Sequence, residues 1–126
     1  MIVGIGIDAV EIDRVAHMFA DKGERMLKRL FTGDELTYIT DKAAPAQHLA
    51  VRLAAKEAAY KALSGNELAR GIGWRDVEVV SRPDGAPTLR LHGLAEQRYR
   101  ELGATSVHVS LTHSVTTAVA VVVVER

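Results

Sequence analysis

The chain has 126 residues, 48% hydrophobic and 25% charged, with 16 Lys and Arg against 16 Asp and Glu. That balance excludes a net basic surface as a reason to bind nucleic acid or an anionic membrane. There is no cysteine, which excludes disulfides, thiolate metal sites and thiol nucleophiles and is compatible with a reducing compartment. The longest apolar stretch, AVAVVVV at 118–124, falls far short of the roughly 20 residues that span a bilayer. The N-terminus has no signal-peptide pattern. One cytoplasmic domain over 1–126 is the expectation.

Taken in order, MIVGIGID (1–8) reads as a strand. Residues 9–23 have helical period, with Val10, Arg14, Val15 and Met18 on one side and Gly23 as the stop. ERMLKRLF (24–31) is a short helix. Thr32 stands three residues before Glu35, a capping-box signature for the next helix. Pro45 suits the first turn of a long helix to about Leu63, closed by Gly65. Residues 75–93 read as two strands around Pro83-Asp84-Gly85. A helix at 94–103 precedes strands at 106–114 and 116–125. This order predicts an α/β domain of the α+β kind, with a mainly antiparallel sheet and one long packing helix. The last strand is apolar at both parities, so both its faces should be covered, by helices or by another subunit.

The long helix has a charge problem. At 100° per residue, Leu49, Leu53, Tyr60 and Leu63 form one stripe. Lys56 falls inside it, Glu57 and Lys61 border it beside Ala50 and Ala54, and Arg52 lies on the other flank. A Glu57–Lys61 i,i+4 surface pair with Lys56 snorkelling is one explanation. A second carboxylate offers another. Ile2, Gly4, Gly6 and Asp8 share one strand parity, and glycines would leave room beside Asp8. Asp8 is either the N-cap of the following helix or a ligand-binding carboxylate. Mg²⁺ favours one or two carboxylates, several waters and a substrate phosphate. Asp8 and Glu57 could share such an ion, with Lys61, Lys56 and Arg52 receiving phosphate oxygens.

GIGIDA (4–9) also fits the G-x-G-x-x-A dinucleotide fingerprint. Against it, Asp8 would stand where a pyrophosphate lies, and the acidic residue expected after a second strand is missing. Near the C-terminus, His108, Ser110 and Thr112 alternate on one face, Val107, Val109 and Leu111 take the other, and His113 ends the strand. Imidazole and hydroxyl groups of this kind can contact phosphate.

Together GIGIDAVEIDR, FTGDE (31–35), RLAAKEAAYKAL (52–63), DGAP (84–87) and HVSLTHS (108–114) resemble, in the same order, the holo-[acyl-carrier-protein] synthases. These are the small trimeric branch of the 4'-phosphopantetheinyl transferases. The resemblance covers essentially the whole chain. It implies transfer of the phosphopantetheine arm of coenzyme A to a serine of an acyl carrier protein, in support of fatty acid biosynthesis. It further implies Mg²⁺ on Asp8 and Glu57, Lys61 at the pyrophosphate, phosphate contacts from Arg52 and His113, and adenine near Gly85 and Pro87. It implies a homotrimer with active sites between subunits. Ser64 and Gly65 keep the turn after the helix, although KALSGNELARGIGW stands where many members read KALGTG.

Carriers of this type are acidic around the modified serine, so the first helix should offer a basic face. Arg14, Met18, Lys22 and Arg25 are the candidates, with Lys28 and Arg29 nearby and Asp13, Asp21 and Glu24 interleaved. The carrier could be free-standing or part of a larger synthase. Two other functions fit some of the residues: a dinucleotide-binding module, and a non-catalytic oligomeric adaptor for an acidic partner.

Overall fold

A computed structural model describes residues 1–126. The first strand, β1 (Ile2–Glu11), runs three residues past the expected end at Asp8. Ala9, Val10 and Glu11 pair with Val119, Ala118 and Thr117, so ladder pairing overrides the helical period there. Helix α1 (Ile12–Leu30) then continues through both segments expected to be separate helices, but Gly23 breaks it with φ 67°. The stop at Gly23 is real, and the chain re-enters a helix beyond it.

Helix α2 (Gly33–Thr40) opens on the expected capping box: Glu35 N–H donates to Thr32 Oγ1, and Thr32 N–H donates to Glu35 Oε1. Helix α3 (Pro45–Ala62) starts at its proline. A short helix α4 (Glu67–Arg70) and a 3₁₀ turn at Trp74–Asp76, neither foreseen, precede β2 (Val77–Ser81). The β2–β3 hairpin turns at Gly85 with φ 86°; Gly85 N–H bonds Arg82 O, and Arg82 N–H bonds Ala86 O. Strand β3 (Pro87–Leu91), helix α5 (Gly93–Glu101), β4 (Ser106–His113) and β5 (Thr117–Glu125) follow.

The strands form two antiparallel sheets instead of one: β1-β5-β4, and the separate hairpin β2-β3. Helix α3 runs through the middle. Its N-terminal half shares a buried cluster with Val15 and Phe19 of α1, Ile39 of α2 and Ala118 of β5. Its C-terminal half packs Ala54, Ala55, Ala58, Ala59 and Ala62 against Val122 and Val124 of the sheet and Val77, Val79 and Leu89 of the hairpin. The face it buries is thus the alanine face, and Tyr60, assigned to the buried stripe from its period, is 40% exposed. Alanines allow close helix–sheet approach, and Gly4 and Gly6 complete it. A Cβ on Gly6 would lie 1.9 Å from Ala58 O, and one on Gly4 2.0 Å from Ala62 O. The expected open space beside Asp8 is therefore filled by helix backbone.

The other face of the three-stranded sheet carries no element of this chain. Its rows run Ile5–Val123–His108, Ile7–Val121–Ser110 and Ala9–Val119–Thr112. Ile5 and Ile7 are 64% and 60% exposed. A bulge between Ile2 and Gly4 turns Ile2 onto this face too, off the parity it was expected to share with Asp8. The valines at 118–124 are thus covered on one face only within a single chain.

Candidate active site

Asp8 lies inside β1, opposite Ala120 and facing α3. It does not cap α1, whose N-cap is Glu11 without a side-chain bond. Gly6 packs closely on Ala58, and Asp8, two residues on, lies beside α3 within reach of Glu57 and Lys61. Lys61 Nζ donates to Asp8 Oδ1 at 2.9 Å and to Ile7 O at 3.0 Å. Asp8 Oδ2 is buried and has no hydrogen-bond partner. Glu57 crowds the same carboxylate: burial first, then the Asp8 carboxylate beside it, raise its pKa to about 7, with Lys61 and Arg14 pulling the other way. Of the two cations that act on this pair, only Lys61 bonds it directly, and it reaches one oxygen of Asp8.

The pair lacks a third His, Asp or Glu side chain to complete a protein-made metal cage. The donor set nonetheless fits a hard cation that keeps water and takes a substrate phosphate. The orphaned Asp8 oxygen and the raised Glu57 pKa are what two carboxylates show when a shared cation or proton is missing. Glu57 and Lys61 also border a cleft of about 370 Å³ walled by Tyr60, Ile72 and Trp74. The sequence reading missed this wall; an aromatic residue in the glycine-rich GIGWRD stretch was the available signal. Ser64 and Gly65 line a neighbouring depression with Tyr60 and Arg70.

Lys56 does something other than meet phosphate. Its ammonium donates to Glu35 Oε1 at 2.8 Å, to Trp74 O at 2.9 Å and to Val77 O, so all three donors are used inside the protein. Burial pulls its pKa down, and Glu35 opposes that shift. Glu35 in turn accepts from Thr32 N–H and Val79 N–H. The capping-box carboxylate thus ties α2, α3 and β2 together, a second task the local motif does not reveal.

A second pocket, of about 190 Å³, gathers Arg52, Gly85, Pro87, Thr112 and His113. Arg52 is 4% exposed, and its Nε has no partner. Its guanidinium lies 4.4 Å from the centre of the Tyr38 ring, with Lys42 Nζ 4.2 Å from the same ring. Gln47 Nε2 approaches His113 Nδ1 at 2.6 Å. Burial lowers the pKa of His48, as do Arg52, Lys42 and His113, which describes a cationic pocket. Tyr38, Lys42, Gln47 and His48 had not been picked out from the sequence. Ser110 stands apart from both pockets, on the open sheet face.

Arg52 and Lys61 are nine residues apart on α3, which puts them about 13 Å apart along the axis and on opposite sides. The two pockets of one chain therefore do not face each other. On α1, Arg14, Lys22 and Arg25 are exposed and Met18 is half-buried, and Arg14 is close enough to act on Glu57. The GIGIDA segment sits within an antiparallel strand, without the strand–turn–helix unit that dinucleotide binding requires.

Residues 4–120 match the family model described as the 4'-phosphopantetheinyl transferase superfamily, and the chain belongs to that superfamily. Within it, the chain is 51% identical over 125 residues to a holo-[acyl-carrier-protein] synthase of Nitratidesulfovibrio vulgaris, 99% of each chain being covered. The fold matches the crystal structure of the Neisseria meningitidis holo-[acyl-carrier-protein] synthase with a TM-score of 0.88 at 28% identity, over 100% of both chains. It matches the Helicobacter pylori synthase, solved in complex with coenzyme A, with a TM-score of 0.81 at 29% identity, over 96% of this chain and 99% of that one.

Proposed function

We infer that the chain is a holo-[acyl-carrier-protein] synthase, moving 4'-phosphopantetheine from coenzyme A to a serine of an acyl carrier protein. The observation that carries this is the meeting of Asp8, Glu57 and Lys61 at the edge of a ligand-sized cleft. Asp8 and Glu57 would hold Mg²⁺, which when bound offsets charge on the pyrophosphate. Lys61 has one ammonium donor left after Ile7 O and Asp8, and that donor serves the bridging oxygen of the departing group. The serine Oγ–P bond forms as the pyrophosphate P–O bond breaks. The electron pair leaves on adenosine 3',5'-bisphosphate, and the serine proton is taken up at the Asp8–Glu57 site, by a carboxylate oxygen or a water it holds. Positioning and electrostatics supply most of the rate in such transfers.

The cationic Arg52–His113 pocket suits the phosphate-rich adenosine end of the donor, with Gly85 and Pro87 beside the base. It faces away from Lys61 on its own chain, so one coenzyme A needs these two halves from different copies. The open sheet face supports the same reading: exposed Ile5 and Ile7 beside Val121 and Val123 are buried when copies pack together. We propose a homotrimer with the site at each subunit boundary. Val121→Asp should lose assembly and activity together, and sedimentation equilibrium showing an active monomer of 13.7 kDa would refute it. Arg14, Met18, Lys22 and Arg25 form the carrier-docking face, beside the acidic pair. The whole chain acts as one transferase domain, and its place is the cytoplasm; no helix is long and apolar enough to cross a membrane.

Mass spectrometry of an apo carrier protein incubated with coenzyme A, Mg²⁺ and the protein tests the reaction. Addition of one phosphopantetheine mass is expected. An unmodified carrier under those conditions overturns the enzyme reading and leaves the adaptor.

A further inference from the structure

We propose that Tyr38 is a positioning residue for the donor: its ring gathers Arg52 and Lys42 without cancelling their charge, so that both cations meet the phosphates at the adenosine end of coenzyme A. This rests on the transferase reading and on the pocket assigned to that end, and deepens both. Arg52 and Lys42 enter none of the chain's ion pairs. Arg52 is nonetheless only 4% exposed. Its Nη1 donates to His48 O at 3.4 Å, and its Nε has no partner. A buried guanidinium without a carboxylate is costly, and burial pulls its pKa down. What stands against it instead is the Tyr38 ring, with the guanidinium carbon 4.4 Å from the ring centre. Lys42 brings its Nζ to 4.2 Å from the same centre.

An aromatic partner acts differently from a carboxylate. A ring attracts a cation through its quadrupole and has no net charge, so two cations share it and the pocket stays positive. Lys56, four residues beyond Arg52 on α3, shows the alternative: Glu35 holds it at 2.8 Å, and the two charges cancel. Tyr38 stands in the last turn of α2, with the His48 ring edge-on to it at 6.1 Å. Its pKa is pulled down, first by Ser81 of β2 and then by Lys42 and Arg52, against the effect of burial. One side chain thus draws cations from α3 and from the loop after α2 to the pocket that it lines with His113.

Calorimetry on the intact protein with Mg²⁺ compares adenosine 3',5'-bisphosphate with adenosine 5'-phosphate, and steady-state transfer compares coenzyme A with 3'-dephospho-coenzyme A. The wild type should favour the 3'-phosphorylated member of each pair. Tyr38→Leu keeps apolar bulk and removes the quadrupole. It should weaken that preference about 10-fold, the scale of a desolvated cation–ring contact. The loss should fall on Kd and KM and leave kcat nearly unchanged, because Lys61 and the acidic pair are untouched. Tyr38→Phe should keep the preference, and Tyr38→Glu, which pairs the cations, should lose more of it than Tyr38→Leu. A preference kept in Tyr38→Leu or Tyr38→Glu overturns the inference. So does a loss in Tyr38→Phe equal to that in Tyr38→Leu, which would assign the role to the hydroxyl. A fall shared equally by both members of each pair means that Tyr38 only packs, and overturns it too. A wild type that binds the bisphosphate and transfers nothing from coenzyme A would instead remove the transferase reading, and the binding series alone would then decide on Tyr38.

Discussion

Lys56 and Lys61 sit five residues apart on α3, and their ammonium groups meet opposite surroundings. Lys56 has three acceptors for three donors, with its side chain 1% exposed and that of its partner Glu35 0% exposed. Lys61 has two acceptors, and its side chain is 54% exposed. Behind Lys56 the charges balance one to one. Behind Lys61 stand two carboxylates, one with a buried oxygen that nothing satisfies. A saturated buried charge fixes structure, because any change strands its partner. An unsaturated cluster at a cleft is left ready for something from outside. Family motifs join these residues in one run, AAKEAAYK; the hydrogen bonds separate them.

The largest effect is expected at Lys56. Lys56→Met leaves the Glu35 carboxylate buried without its ammonium, and removing one partner of a buried pair costs about 3–5 kcal/mol. Urea unfolding should show that loss, and Lys56→Met with Glu35→Gln should recover part of it. A loss below about 1 kcal/mol, the range of exposed pairs, would mean Lys56 is not the anchor its bonds describe.

Lys61 should behave in reverse. Lys61→Met changes stability by no more than about 1 kcal/mol, since its ammonium is largely exposed. Transfer should fall on the order of 10²–10³-fold, the usual effect of removing one donor from a developing oxyanion. Asp8→Ala and Glu57→Ala should likewise keep the fold and lose transfer. If either retains full activity in the presence of a chelator, the pair holds no metal.

A smaller effect extends the contrast to α1. Arg14 is exposed and acts on Glu57 from outside the cluster. Arg14→Glu should raise the KM for carrier several-fold and leave the KM for coenzyme A nearly unchanged. The wild-type carrier KM should rise with salt, because exposed charges are screened beyond about 10 Å at 0.1 M. A carrier KM indifferent to salt excludes electrostatic docking.

Local chemistry was legible in the sequence wherever a residue acts on its near neighbours. The Thr32–Glu35 box, the proline at 45, the Gly85 turn and the alternation of 107–112 all stand as read. Features set by distant segments were not legible. Strand β1 reaches Glu11 because β5 pairs with it, and the three-stranded sheet and the hairpin do not join into one because β2 and β3 bond only each other. Lys56 reads as misplaced until Glu35, Trp74 and Val77 arrive from three other segments. The Gly4–Gly6 face reads as open until the backbone of α3 fills it. The Asp8–Glu57–Lys61 set was reached through parity, helical spacing and family resemblance, whereas Trp74 and the Tyr38–Lys42–His48 surroundings of Arg52 needed the fold.

The finest test of the contrast is the pH dependence of stability without added metal. The Glu57 pKa is about 7 in the folded chain, against an ordinary value of 4.5. Between those values the folded state holds a proton that the unfolded state has released. Stability therefore falls as pH rises from about 4.5 to about 7, then levels off. Asp8 and Glu57 titrate as a pair, so the slope belongs to both. Glu57→Gln imitates the protonated side chain. It should match the wild type near pH 5 and unfold at higher denaturant than the wild type at pH 8, with the gap opening across the interval. Mg²⁺ should close that gap at pH 8 by stabilising only the protein that still has both carboxylates. A variant less stable than the wild type at pH 8 without metal would mean Glu57 is already neutralised by Lys61 and Arg14. The corner would then be as complete as the one around Lys56, and the difference between the two lysines would lose its functional meaning.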